Sequence, residues 1–441
     1  MGRVPIRRLT GDDFLSKKQV NWDKLDNTAL LFPAIASENM TNVYRVSAVL
    51  SEEIDRAALQ KAFNRVLPAF KAFKVRLRSG FFWYYFEENP RKPPAVEKEI
   101  TFPGAYIDRS VSNQYLLRLS YHEKRINLEM FHALSDGFGV ITFLKEIIYQ
   151  YLRIRYPEEL AGEPDSLSTD IFLDKEDSYI RNYRKPGKDR KKYVRTDALC
   201  ITGPEFERPE IALIHGHMPV SALKEVCHRY GTTINTYLTA VYVWSIYKSV
   251  LNGRAGEKPI RCAVPVNLRP YYDSHTLKNF FAIIGAEFLP DREGYTFPEI
   301  LEIVSDSLKS QMNRSNFDEI ISYNVSNEMN MMLRIVPLFI KNFAIKQVFS
   351  ASSHSYSTTM TNVGPVKVRE PYKPYIKGFS VMLSMSEGQN IKAAIISYED
   401  LLTVTFSSCL SDTSIQRCFF QELTKEGIPV TIETNGMYGE A

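Results

Sequence analysis

The run E-M-F-H-A-L-S-D-G-F-G, residues 129–139, sets His132 four residues before an Asp136–Gly137 pair, in a chain with seven histidines. Imidazole is the side chain whose ordinary pKa lies nearest neutrality, so His132 suits proton abstraction at cellular pH. A carboxylate one turn away can fix the local geometry, and Gly137 lets the backbone turn sharply. A plainer reading stands beside this one: Asp136 caps a helix that starts near Phe138, and His132 is a buried strand end. Spacing alone leaves both open.

Other patterns that could carry chemistry are missing or weaker. The sequence holds no G-x-S-x-G elbow, Walker loop, H-E-x-x-H run or kinase signature. The G-F-G at 137–139 lacks the third glycine of a dinucleotide fingerprint. His215 and His217 share one strand face and could hold a metal, but no third ligand is apparent, so a strand-edge pair is the plainer reading. His122, His228, His275 and His354 fall in turns, loops or near a helix end and read as surface or structural groups.

The elements that must position His132 are legible from periodicity. Residues 43–50 alternate as a strand, with Tyr44, Val46, Ala48 and Leu50 on one face, and 55–67 read as a helix stopped by Pro68. Strands are expected at 74–77 and 81–86, the second an aromatic run (F-F-W-Y-Y-F) read as a hairpin arm packed into the core. Strands at 115–121 and 126–131, joined by H-E-K-R, form a hairpin, and a helix runs from Phe138 to Arg155. His132 and Asp136 therefore lie in a strand-to-helix turn, which can hold side chains rigidly and leave them accessible.

The second half restarts in the same way. A strand at 213–219 leads to a helix capped by Ser221 and closed by Gly231. A helix over 234–250 is apolar nearly all round. Strands follow at 260–266 and 280–288, then helices at 297–312 and 326–348. Strands at 355–361, 377–384, 391–397 and 402–407 precede a last helix at 413–425. The mixture in both halves predicts an α/β fold of two related layers. Between the halves, 181–195 (R-N-Y-R-K-P-G-K-D-R-K-K-Y-V-R) has no hydrophobic period. It reads as a solvated crossover, with a patch for an anionic substrate as the sharper alternative. Residues 329–349, with Met331, Met332, Ile335, Leu338, Phe339 and Phe343 among Arg334, Lys341 and Lys346, read as a core or tunnel-wall helix kinked at Pro337. A basic amphipathic helix lying on a membrane surface is the alternative.

Composition bounds the class. The apolar fraction of 44% and charged fraction of 24% suit a globular protein, and 55 Lys and Arg against 51 Asp and Glu leave no nucleic-acid footprint. No stretch is apolar enough for a membrane span, and no apolar segment follows the basic N-terminus as in a signal peptide. The five scattered cysteines fit reduced thiols, so a soluble cytoplasmic protein is expected.

F-H-A-L-S-D-G resembles the H-x-x-x-D-G signature of the chloramphenicol-acetyltransferase-like acyltransferase superfamily. That group includes peptide-synthetase condensation domains, plant BAHD enzymes, wax ester synthases and alcohol acetyltransferases. Two further segments agree in order. V-P-V-N-L-R-P at 264–270, with K-N-F-F at 278–281, is similar to the arginine-bearing segment and its downstream asparagine. M-T-N-V-G-P at 360–365 is similar to the S-N-x-G-type strand that crosses between the halves. Phe131 replaces the first histidine of the H-H-x-x-x-D-G form, which weighs against a peptide-synthetase condensation domain. No D-F-G-W-G string marks the plant branch, so bacterial alcohol-acetyltransferase-like proteins are the nearest resemblance.

The resemblance implies two acetyltransferase-like subdomains forming a pseudo-dimer, with mixed β-sheets flanked by helices and an active-site tunnel at their interface. Its expected division is 1–180, a basic linker at 181–210, and 211–441. It further implies that His132 is the general base and that Asp136 is structural and paired with Arg269. Gly137 would leave room for the acyl donor, and Asn279 and Asn362 would make polar contacts near the tunnel. The implied activity is transfer of an acyl group, acetyl or of short to medium length, from acyl-CoA to an alcohol or amine. A carrier-protein-bound donor and a non-catalytic binding protein are the alternatives. No metal and no resident cofactor is implied, acyl-CoA being a co-substrate. A monomer is expected, with peripheral membrane contact left open.

Overall fold

The structure is a computed structural model that describes residues 22–165, 167, 176–185, 196–329 and 335–438. A five-stranded sheet dominates the N-terminal half. Its strands lie in the order Ile376–Met382 (β12), Val43–Leu50 (β2), Arg125–Phe131 (β7), Leu117–His122 (β6) and Glu97–Lys98 (β5). Tyr44, Val46, Ala48 and Leu50 all point into one core, as the alternation requires. Against that face pack the helices Arg56–Val66 and Gly137–Arg155, the first capped by Asp55, whose carboxylate accepts from the Ala58 N–H at 2.9 Å. The opposite face of the same strands is charged. There Glu129 accepts from the Arg45 and Arg118 guanidiniums and from the Gly104 N–H, so its burial leaves no orphan charge.

The C-terminal half is built on a seven-stranded mixed sheet. Its order is Phe281–Phe288 (β10), Ile260–Asn267 (β9), Thr358–Pro365 (β11), Ile391–Tyr398 (β13), Leu401–Ser408 (β14), Ala212–Pro219 (β8) and Thr431–Thr434 (β15). The helix Ile234–Val250 lies across its core, with Tyr237, Tyr242 and Tyr247 fully buried. A small third sheet joins Trp22–Lys24 (β1), Tyr84–Glu88 (β4) and Val75–Ser79 (β3).

Two strands bind the halves into one body. β13 is buried on both faces: Ile391, Ala393 and Ile395 enter the C-terminal core, while Ala394, Ile396 and Tyr398 enter the N-terminal one. β12 leaves the C-terminal part of the chain and pairs antiparallel with β2, Val381 opposite Val46. β12 is thus the strand that crosses over. β11, expected from 360–365 to cross, stays hydrogen-bonded to β9 and β13.

Several expectations are corrected. The aromatic run begins its strand only at Tyr84. Phe86 is buried, but Phe81 and Trp83 stand exposed at the hairpin tip instead of entering the core. Ser221 is not a helix cap; its N–H and hydroxyl both bond Asp400, and the helix starts at Val220. β8 is no edge strand, because β15 covers it along 214–217. In place of the single helix expected over 326–348, the described residues there belong to the helices Arg314–Met329 and Leu338–Ser352, with Pro337 as the N-cap of the latter. Proline lacks the N–H of a continuing helix, so it starts this one instead of kinking it. Residues 353–355 form a 3-10 turn, and β11 begins at Thr358. Residues 186–195 of the basic crossover, with Met331, Met332 and Arg334, lie outside the described residues. The crossover's described start is anchored: Arg181 Nη2 donates to the carbonyls of Tyr272 and Asp273 at 3.0 and 2.9 Å, and just before it Tyr179 is buried with its hydroxyl bonded to the Phe281 carbonyl at 2.7 Å.

Candidate active site

β7 ends at Phe131, and the backbone N–H of His132 donates to the Asn42 carbonyl at 2.9 Å. Asn42 itself sits at φ 51°, a left-handed conformation that asparagine tolerates. The His132 ring is clasped by aromatics: Phe32 stacks on it at a centroid distance of 4.5 Å, and Tyr44 lies tilted at 4.9 Å. Phe281 approaches from the C-terminal half at 6.0 Å, which puts His132 at the seam between the two halves. The side chain is half-buried, and Phe131 points the other way, into a cavity of about 760 Å³ also lined by Val43, Tyr84 and Tyr106.

Asn279 sets the proton arrangement of the ring. Its Nδ2 donates to the Asp26 carboxylate at 3.0 Å and to the His132 carbonyl at 3.2 Å. That leaves Oδ1, an acceptor, facing His132 Nδ1 at 3.2 Å, so Nδ1 carries the hydrogen and Nε2 keeps its lone pair. Among the described residues no hydrogen bond reaches Nε2. Burial holds the His132 pKa below its ordinary value, and the hydrogen bond to its own backbone, the Asp136 charge and Asn279 only partly oppose this. The ring is thus neutral at pH 7, in the form that can accept a proton.

Asp26 is a site residue that sequence reasoning missed. Its carboxyl is buried, takes the Asn279 N–H at 3.2 Å and the Ala29 N–H at 2.8 Å, and is pushed up by burial to about 7. The short-range signal it carries, an Asp three residues before a helical turn, is common to any capped turn. Lys392 was missed as well. It lies buried on β13, donates to the Ser384 carbonyl at 2.9 Å, and burial brings its pKa down to about 7.

Asp136 fulfils both readings of its spacing. One oxygen accepts from the N–H groups of Phe138 and Gly139 at 3.1 and 3.4 Å, capping the helix Gly137–Arg155. The same carboxylate takes a two-pronged bond from Arg269, Nη1 at 2.8 Å and Nη2 at 3.1 Å, and the Phe280 N–H at 2.9 Å. Arg269 in turn donates to the carbonyls of Thr276 and Lys278 at 2.9 and 2.7 Å, with its guanidinium over the Phe138 ring. The pair thus ties the 264–281 segment, and Asn279 with it, to the turn that holds His132. Tyr44 finishes the clamp, its hydroxyl donating to the carbonyls of Ser135 and Asp136 at 3.0 and 3.1 Å.

A Cβ on Gly137 would come 3.0 Å from Val363 Cγ1, so this glycine sits against β11. A Cβ on Gly139 would fall 2.5 Å from the Leu277 carbonyl oxygen, so the close contact between helix and 264–281 segment needs glycine there. Asn362 is not drawn to His132. Its Oδ1 accepts from the Gly364 N–H at 2.9 Å and shapes an irregular end of β11. His215 and His217 bond the hydroxyls of Thr405 and Thr403 at 2.8 and 3.1 Å, and among the described residues no group of three His, Cys, Asp or Glu could hold a metal ion.

No protein-family model matches the sequence, and no curated protein matches it. Solved structures match along nearly the whole chain. A wax ester synthase/diacylglycerol acyltransferase from Marinobacter aquaeolei VT8 aligns with a TM-score of 0.56 at 13% identity, over 92% of this chain and 100% of that one. TRI101 of F. sporotrichioides, complexed with coenzyme A and T-2, aligns with a TM-score of 0.59 at 12% identity, over 92% and 98%. The first condensation domain of the calcium-dependent antibiotic synthetase, in complex with a substrate analogue, aligns with a TM-score of 0.58 at 12% identity, over 93% and 99%. The chain therefore has the two-subdomain fold of the condensation-domain and chloramphenicol-acetyltransferase-like acyltransferase structures, as its sequence motifs led one to expect.

Proposed function

We propose that this chain transfers an acyl group from acyl-CoA to the hydroxyl or amine of a small acceptor, with His132 as general base. The observation that carries the reading is the Asn279-fixed ring, whose unprotonated Nε2 has no protein partner among the described residues. In the proposed step Nε2 takes the acceptor's proton as its oxygen or nitrogen attacks the thioester carbonyl. The C–S bond then breaks, and the imidazolium returns the proton to the departing thiolate, which leaves as free CoA. A thioester is already activated, so no covalent enzyme intermediate is required. Asp136 and Arg269 act by position, holding the turn that carries His132 and the segment that carries Asn279. Gly137 would have the acyl donor pass beside it, and Asn362 would shape the end of β11 next to Val363.

The experiment is a panel of CoA thioesters of graded acyl length against alcohols and amines, with ester or amide product measured by mass spectrometry. Product above the uncatalysed background, released together with free CoA, supports the reading. No product with any pair, while carrier-protein thioesters do react, would replace the donor.

A further inference from the structure

The helix Leu338–Ser352 has no buried residue among its 15, although its sequence L-F-I-K-N-F-A-I-K-Q-V-F is strongly apolar. One stripe, Leu338, Lys341, Asn342, Ile345 and Phe349, is half-buried against the protein. It meets the short helix Leu31–Ile35, which carries the Phe32 stacked on His132, and the hairpin tip at 81–84. There the Leu338 N–H and Lys341 Nζ donate to the carbonyls of Phe81 and Phe82, both at 2.8 Å. The other side of the helix is where a soluble protein would carry polar groups. Here it presents Phe339 (70% exposed), Phe343 (66%) and Val348 (69%), together with Ile340, and Phe81 (69%) and Trp83 stand out beside it.

We propose that this face, the outer side of Leu338–Ser352 with the 81–83 hairpin tip, docks on an anionic membrane surface. Charge complementarity argues for lipid. On the outer side Lys346 stands exposed, while Lys341 belongs to the inner stripe; residues 335–352 contain no Asp or Glu, and the tip 79–84 (S-G-F-F-W-Y) is free of acids too. Protruding aromatic and aliphatic side chains with a lysine among them suit the boundary between headgroups and acyl chains. A two-fold dimer would instead set Lys346 near its own copy, while the carboxylate of Glu387, bonded to Ser350, stands at the C-terminal end of the helix. Among the described residues no helix is long and apolar enough to cross a membrane, so the contact would be peripheral. The docked face lies one short helix away from His132, and the proposal does not rest on the acyl-transfer reading.

The test is vesicle flotation of the full chain, with phosphatidylcholine alone and with an equimolar mixture of phosphatidylcholine and phosphatidylglycerol. The wild type is expected to float with the anionic vesicles, less so as salt is raised, and with a blue shift of tryptophan emission that Trp83→Ser reduces. The double variant Phe339→Ser/Phe343→Ser should bind roughly tenfold more weakly or worse. Lys346→Ala should bind about fivefold more weakly to the anionic vesicles. These side chains are exposed, so unchanged circular dichroism is expected and separates lost docking from lost folding. Wild type that stays in solution with both vesicles, or a double variant that floats as well as wild type, overturns the proposal. So does a dimer in solution that the double substitution dissolves while flotation is absent.

Discussion

A histidine becomes a base through the groups that decide where its hydrogen sits. Here Asp26 and the His132 carbonyl occupy both donors of Asn279, and what remains of that amide is an acceptor turned to Nδ1. Because burial lowers the His132 pKa, the neutral form persists below pH 6.5, and the acid limb of kcat/KM should fall under that value. A limb at or above 6.5 would contradict the environment described for the ring. Asn279→Asp sharpens the test: a carboxylate at Nδ1 favours the imidazolium and should move the limb to higher pH. A loss of rate with the limb unmoved would mean that Asn279 serves packing only. His132 and Asp136 could be singled out from spacing because their separation is short. Asp26 could not, since its partner Asn279 lies far along the chain and only the folded seam brings them together.

At the scale of elements, the helix Gly137–Arg155 begins on a carboxylate that also clamps Arg269, so its start and the 264–281 segment are fixed together. Asp136→Asn would leave the Arg269 guanidinium buried without its charge partner, at a cost of about 3–5 kcal/mol. Urea unfolding should show that loss, with activity falling alongside it; an inactive variant of full stability would argue against a positioning role. The stacked pair on β8 supplies a pH-dependent element. Burial, then His217, Arg125 and Arg45, bring the His215 pKa down to about 4. The unfolded chain therefore binds more protons between about 4 and the ordinary 6.5, so stability should rise with pH across that window. His215→Gln should flatten the rise, and an unchanged slope would place the acid sensitivity elsewhere. Strand and helix cores were readable here because periods of two and of 3.6 residues mark a buried face wherever it packs. The outer helix Leu338–Ser352 was misread for the same reason: an apolar run reports what could be buried, and only the fold tells whether a neighbour covers it.

On the scale of the whole molecule, two cores share β13, and β12 closes the N-terminal sheet from the far end of the chain. Periodicity located both strands but gave no sign that β12 would join the N-terminal sheet, because its partner β2 lies hundreds of residues away and leaves no local pattern. Motif order, by contrast, reached the overall fold, since the three short segments that resemble the acyltransferase superfamily all converge on the seam or beside it. His132 is held there by one half and its tautomer is set by the other. The most direct measurement is therefore kcat/KM for the best donor and acceptor pair, wild type against His132→Ala. A drop of about 10²–10⁴-fold with the variant still folded is the expected result. Equal turnover by the two proteins would contradict His132 as the base.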